Sequence, residues 1–251
     1  MRKFFGYAII VSLLFSSLTL CEAKPKKTKK PVITTKHKVE FTTRDKFILV
    51  GDMFLAHPET NKPLVVFLHS YATNAQVWKD IAESLRKKGY NVLTMDLRGH
   101  GRSVYNNKLK LKSRYYFTNA DWKKLTADIV DSVRYIKTQY PKVNTDDVIL
   151  VGADIGAQAA ANAALSLKKT PEKLILISPM LEFKGIEMPI KTHKFKNTKI
   201  FMMMSKTDRL LFHFDTKIPP IIKHYPNGGP GVQLIKLNKE TPNDIINFIT
   251  N

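Results

Sequence analysis

Val148-Ile149-Leu150-Val151-Gly152-Ala153-Asp154-Ile155-Gly156-Ala157 decides how the rest of this chain is read. A short apolar run rich in β-branched residues leads into Gly-x-Asp-x-Gly, and a small-residue segment from Ala157 to Leu167 follows. The first part reads as a buried strand and the last as a helix. Between them the backbone must reverse sharply. Gly152 and Gly156 permit a tight turn around Asp154, whose own conformation is strained. Strand, turn and helix together lift the Asp154 side chain to the carboxyl end of the strand, above a helix N-terminus.

Outward from this stretch, strand and helix alternate. Val32 to Phe41 and Phe47 to Leu55 read as an antiparallel pair turning at Thr42-Thr43-Arg44-Asp45. Pro63 to Leu68 and Tyr90 to Leu97 are further strand runs. Between them Val77, Trp78, Ile81 and Leu85 share one helix face, with Gly89 as the stop. A long helix carries Trp122, Leu125, Ile129, Val133, Ile136 and Tyr140 inward, is capped by Asn119 or Asp121 and ends at Pro141. Lys173 to Ser178, Lys199 to Ser205 and Gly231 to Leu237 supply the last strands, and Thr241-Pro242-Asn243-Asp244 opens a closing helix. This pattern predicts an α/β fold, a mostly parallel eight-stranded sheet with helices on both faces. Function in such sheets gathers at the carboxyl ends of the strands.

The chain has 251 residues, enough for one domain with a sizeable core, and a formal net charge of +20. That charge predicts attraction to anionic surfaces: phospholipid, acidic polysaccharide or nucleic acid. No zinc-finger spacing or specific nucleic-acid motif is read, and lysines spread over a solvated surface are the plain alternative. Residues 1–23 read as an export signal: Arg2 and Lys3, then an apolar run from Phe4 to Leu20 that is short for a membrane span. Two processing routes stay open. Cys21-Glu22-Ala23 offers small residues for a general signal peptidase, whereas Leu18-Thr19-Leu20-Cys21 resembles a relaxed lipobox with Cys21 as the lipidated residue. The product is expected in the periplasm, secreted, or membrane-anchored through Cys21. Cys21 is the only cysteine, so no intrachain disulfide forms. Residues 24–36 read as a Lys/Pro-rich linker suited to anionic headgroups, and residues 37–251 as the folded domain.

Several segments, in order, resemble the α/β-hydrolase family over roughly residues 40 to 250. Phe67-Leu68-His69-Ser70 is similar to the strand end that supplies the oxyanion loop. Asp96-Leu97-Arg98-Gly99-His100-Gly101-Arg102-Ser103 resembles the loop after the fourth strand. Gly152-Ala153-Asp154-Ile155-Gly156-Ala157 resembles the nucleophile elbow of capless serine hydrolases, which often read Gly-Ala-Ser-Ile-Gly-Ala. Ser178 to Gly185 is similar to the segment after the sixth strand in the same group. Asp208 falls where the family carries its triad acid, and Gly228-Gly229-Pro230-Gly231 where it has Gly-x-His-Gly.

The resemblance implies an α/β-hydrolase fold with no cap domain and a degenerate triad. Asp154 stands in the nucleophile position, Asp208 in the acid position, and Pro230 replaces the His. Ser70 replaces the usual oxyanion-loop Gly, while the Tyr71 and Ile155 N–H groups remain as oxyanion-hole donors. The family also includes Asp-nucleophile enzymes, the haloalkane dehalogenases and epoxide hydrolases, in which a His-activated water hydrolyses the ester intermediate. Those carry a helical cap, for which the roughly twenty residues between Ser178 and Lys199 leave no room.

The expected protein is thus a non-catalytic or weakly active envelope binding protein. The alternative is an active hydrolase of ester or acyl substrates using Asp154 or another base. His193, His213 and His224 are the other candidate bases, and packing or surface roles compete for each. His69 and His100 read as loop-shaping residues. For Asp154 the plain alternative is a carboxylate stabilised at a helix N-terminus. The pattern implies no cofactor and no metal, although a cation between Asp154 and Asp208 is a weaker alternative. The sequence identifies no partner; an anionic membrane surface and a small acyl or ester ligand are the candidates.

Mass spectrometry of the mature protein should find Lys24 first or a lipidated Cys21; an intact Met1 in a cytosolic fraction would end the export reading.

Overall fold

The computed structural model describes residues 35–208 and 212–251. The stretch read as an export signal, Cys21 and nearly all of the stretch read as a linker lie outside the described residues. Eight strands build the main sheet: β1 (Lys36–Thr42), β2 (Phe47–Phe54), β3 (Pro63–Leu68), β4 (Val92–Met95), β5 (Asn144–Ala153), β6 (Lys173–Ile177), β7 (Lys199–Ser205) and β8 (Ile221–Tyr225). Their order across the sheet is β1-β2-β4-β3-β5-β6-β7-β8. The pairs β1/β2 and β2/β4 are antiparallel, and every other neighbouring pair in that order is parallel. Tyr105–Asn106 adds a short antiparallel rung to the start of β2.

The period of two along each strand sorts the core into two layers. Leu64, Val66, Leu68, Leu150, Leu174, Leu176 and Met202 face one side. The helix pair α3 (Leu125–Gln139) and α4 (Ile155–Ser166) covers that side with Leu125, Ile129, Ile136 and the alanines of α4. Val65, Phe67, Ile149, Val151, Ile175, Ile177 and Met203 face the other side. There α1 (Lys79–Lys87) contributes Ile81 and Leu85, and α6 (Thr241–Thr250) contributes Ile245 and Ile249. Side chains on both faces explain why the central strands are unbroken apolar runs rather than alternating ones.

Two expectations are corrected. Gly231 to Leu237 is not a strand; Val232–Leu237 is the short helix α5, and the last strand is β8. The β8 strand lies at the sheet edge and buries Tyr225 alone among its residues, so its apolar signal is weak. In α5 the buried pair Val232 and Leu234 mimics strand alternation. The long helix also begins differently. Thr118 caps the turn α2 (Asn119–Lys123): its Oγ1 accepts the Asp121 N–H, and an Asp121 carboxylate oxygen accepts the Thr118 N–H. Between β6 and β7 lie only the hairpin Glu182–Phe183/Ile186–Glu187 and one short helical turn, His193–Phe195, which fits a capless chain.

The loop after β4 is pinned by Arg98, which is 3% exposed. Its Nε and Nη2 donate to Asp128 on α3 at 2.6 and 2.5 Å, and its guanidinium also meets Asp45 in the β1–β2 turn at 3.0 Å. Removing one partner of a buried pair leaves an uncompensated charge. Asp128→Ala should therefore lower stability by about 3–5 kcal/mol, read as a reduced denaturant midpoint, whereas Lys38→Ala at the exposed Lys38–Glu40 pair should be near neutral.

Candidate functional site

Asp154 has φ 55° and ψ −123°, the strained conformation expected of a sharp turn between strand and helix. Close backbone contacts hold it there. A Cβ on Gly152 would lie 2.1 Å from the Gly156 carbonyl oxygen, and one on Gly156 would lie 2.6 Å from the Leu68 carbonyl oxygen. Both positions therefore require glycine, and the turn is pressed against the end of β3. The Asp154 carboxylate is buried, and its Oδ2 accepts the Tyr71 N–H at 3.1 Å. The adjacent Ile155 N–H also favours the charged form, although it makes no hydrogen bond to the side chain. Burial raises the Asp154 pKa, and these two donors oppose the rise only in part.

The Tyr71 N–H, expected as an oxyanion donor, is thus engaged by Asp154 itself, and Ile155 follows Asp154 at the start of α4. The loop carrying Pro230 closes over the same place. Ser70 Oγ accepts the Val232 N–H at 2.8 Å. Gly231, at φ 55°, sits so close that a Cβ there would fall 2.0 Å from Ser70 Oγ and 2.9 Å from Asp154 Cβ. Backbone, not a side chain, fills the space beside Asp154.

Asp208 and Pro230 line a separate cavity of about 220 Å³ with Ser178, Met180, Met204 and Phe212. One Asp208 carboxylate oxygen accepts the Ser205 N–H at 2.9 Å. Asp154 is not among the residues lining that cavity. Among the described residues no group of three His, Cys, Asp or Glu is placed to hold a metal ion.

Each imidazole has another role. His69 is fully buried; its Nε2 accepts the Leu97 N–H at 2.9 Å and its Nδ1–H donates to the Ser70 carbonyl at 2.8 Å. Burial pushes its pKa down to about 4. His100 Nδ1–H donates to the Arg98 carbonyl at 3.0 Å, and burial with neighbouring His69 lowers its pKa to about 3. His193 pairs with Asp215 at the surface, His213 is exposed, and His224 Nδ1–H donates to the Ser205 carbonyl. Among the described residues no imidazole hydrogen-bonds to Asp154.

Residues 59–227 match the family model described as serine aminopeptidase, S33. The chain belongs to this α/β-hydrolase family. A 120-residue stretch is 30% identical to the monoglyceride lipase homolog of monkeypox virus, covering 48% of this chain and 39% of that one. Another, of 103 residues, is 29% identical to epoxide hydrolase B of Mycobacterium tuberculosis, covering 41% and 25%. These matches span well under half of either relative's length. The fold is that of the Pyrococcus furiosus esterase Pf2001, with a TM-score of 0.63 and 21% identity over 86% of this chain and 90% of that one.

Within the α/β-hydrolase frame, two polar residues escaped the sequence reading. Gln158 lies one turn along α4 from Asp154, fully buried, with neither carboxamide atom hydrogen-bonded. Ser178, at φ 47°, faces the Asp208 cavity with its buried hydroxyl lacking a partner among the described residues. The signal for Gln158 was a lone amide in an alanine-rich helix; Ser178 gave none.

The raised Asp154 pKa has a consequence for stability. The folded state holds this proton to higher pH than the unfolded chain does, so the contribution falls as pH rises from the unfolded value of about 3.9 through the raised folded one. Asp154→Asn keeps an oxygen for the Tyr71 N–H and cannot ionise. Its stability relative to the native protein should increase over that window and then level off; a difference that stays flat from acid to neutral pH in denaturant titrations would contradict it.

Proposed function

We propose that this α/β-hydrolase-family chain is an exported, envelope-associated binding protein that has lost efficient hydrolysis. The observation that carries this reading is the Asp154 carboxylate accepting the Tyr71 N–H at 3.1 Å. Acyl-transfer catalysis needs such a donor free for the oxyanion that develops in the transition state. Here a side chain of the protein already uses it. A serine hydrolase also needs a base to activate its hydroxyl. Pro230 has no ionisable group, and a side chain at Gly231 would collide with Ser70.

The cavity bounded by Asp208, Ser178, Met204 and Pro230 suits a small ligand with an apolar body and a hydrogen-bond donor. Acyl or ester compounds remain the class to test first. The rival reading, an active hydrolase with Asp154 as nucleophile, draws on the similarity to a relative named epoxide hydrolase B. It lacks the imidazole that would activate water in the second step, and burial of Asp154 favours the protonated form, which is the poorer nucleophile.

The purified protein should show no more than residual turnover on an ester, amide and epoxide panel, roughly 10³ to 10⁴ over water in the manner of a hole without its triad. Asp154→Ser alone should not help. Asp154→Ser with Pro230→His and Ser70→Gly should give measurable esterase activity, because the third change releases the Val232 N–H that anchors the loop. Robust native turnover that vanishes in Asp154→Ala would overturn the binding-protein reading.

A further inference from the structure

From Leu97 to Ala120 the chain carries six cationic side chains and no Asp or Glu. Arg98 and Arg102 within it are spoken for, paired to Asp128 and Asp45, and to Asp96 and Asp52. Beyond them the backbone makes a tight hairpin. The Lys112 N–H donates to the Val104 carbonyl at 2.7 Å, the Leu109 N–H to the Asn106 carbonyl at 2.8 Å, and Asn106 Oδ1 accepts the Lys108 and Lys110 N–H groups.

The side chains on this hairpin do not serve the core. Among the described residues ten large hydrophobics are exposed, and five of them lie here: Tyr105, Leu109, Leu111, Tyr115 and Tyr116. Leu109 is 74% exposed at the tip and Tyr116 is 83% exposed. Lys108, Lys110 and Lys112 alternate with the leucines, all three exposed and none in an ion pair with a described residue. Leu109 also has φ 54°, a conformation that Gly or Asn adopts more easily. A leucine that is both strained and exposed contributes nothing to folding.

We propose that the hairpin Tyr105–Tyr116 is an interfacial anchor that inserts Leu109 and Leu111 into an anionic phospholipid surface. Aliphatic tip, flanking tyrosines and interleaved lysines are the three components of an interfacial contact: acyl-chain burial, rings at headgroup level, and cations on anionic lipid. Nucleic acid would use the cations and rings but leave both leucines in water. The hairpin follows β4, so it stands on the carboxyl-end side of the sheet, as Asp154 does. Arg114 links the two, with its guanidinium 5.7 Å from the centre of the Tyr71 ring. A docked hairpin would therefore present this end of the sheet to the membrane. The proposal deepens the envelope reading and rests on it for its compartment, while the contact surface is independent of the basic linker.

The test uses the whole protein and vesicles of mixed phosphatidylglycerol and phosphatidylcholine at low salt. Both native tryptophans, Trp78 and Trp122, are buried, so Leu109→Trp adds a distinguishable reporter. Its emission should shift to the blue and be quenched by lipids brominated along the acyl chain, and do neither with phosphatidylcholine alone. Leu109→Ser with Leu111→Ser should weaken co-sedimentation by about tenfold or more with an unchanged thermal midpoint. Serine at Lys24, Lys26, Lys27, Lys29 and Lys30 should leave the blue shift in place. An unshifted, unquenched reporter on vesicle-bound protein overturns the anchor. If the linker substitutions abolish all binding and the leucine substitutions change nothing, the anchor is overturned while the envelope reading stands. Binding to single-stranded RNA that ignores the leucine substitutions, without vesicle binding, overturns both.

Discussion

The constraint on which this site depends is the contact of bare backbone around the turn at Asp154. Gly152 meets the Gly156 carbonyl, and Gly156 meets the end of β3 at Leu68, with no space for a methyl group at either place. Because these contacts join β5, α4 and β3, they fix the Asp154 Cα relative to the Tyr71 N–H within narrow limits. The side chain at position 154 is thus aimed by packing rather than by its own preferences. Any group there that reaches Tyr71 and can accept a hydrogen bond will do so.

In that geometry the residues at 70, 154 and 230–232 act as one set. A hydroxyl at the turn leaves two donors free and needs an imidazole to activate it. A carboxylate brings its own acceptors and takes the Tyr71 N–H without help. With no hydroxyl at the turn an imidazole has no nucleophile to activate, and the loop at 228–231 lies close against Asp154. Ser70 completes the closure by accepting the Val232 N–H, and Gly231 fits only because it lacks a Cβ. Each polar group in the closed arrangement has its partner, which is what a buried site requires. Gln158 and Ser178 stand outside that rule, and a buried amide or hydroxyl without a partner is the sort of group a bound molecule would satisfy.

The fold was legible because its signals are redundant. Continuous apolar runs at β3, β5, β6 and β7, with amphipathic segments between them, leave little choice but a covered parallel sheet. The turn at Asp154 was legible for the same reason: two glycines flank a polar residue between a strand pattern and a helix pattern. The edge was not. Ile221 and Ile222 of β8 are exposed and its core contact is Tyr225, so nothing in its pattern outweighs Val232-Gln233-Leu234, which alternates by accident of a short helix. At the site, the sequence pattern singles out Asp154, Asp208, Tyr71 and Ile155, but it carries none of the hydrogen bonds that Asp154 and Asp208 make. Whether a carboxylate faces outward or folds onto its own turn is decided by about an ångström of side-chain reach, which a one-dimensional pattern does not encode. Ser70 was visible as a departure from the resembling loop, but its partner is 162 residues away.

The distribution of charge links the interior to the hairpin. Asp52, Asp96, Asp128 and Asp131 are buried and bound to Arg98, Arg102, Arg44 or Arg134. These aspartates hold the loops around the carboxyl ends of the strands in place, so they are not available to neutralise lysines on the surface nearby. A segment without acids, such as 97–120, then projects an unopposed positive field from that end of the molecule. Exposed leucines by themselves would invite self-association. Lysines at every second position keep such a segment in solution, since each apolar side chain is bracketed by charge. On an anionic lipid surface the same lysines lose their mutual repulsion to the headgroups, and the leucines between them have an apolar phase to enter. The alternation that keeps the hairpin soluble in water is therefore the alternation that would hold it at a membrane.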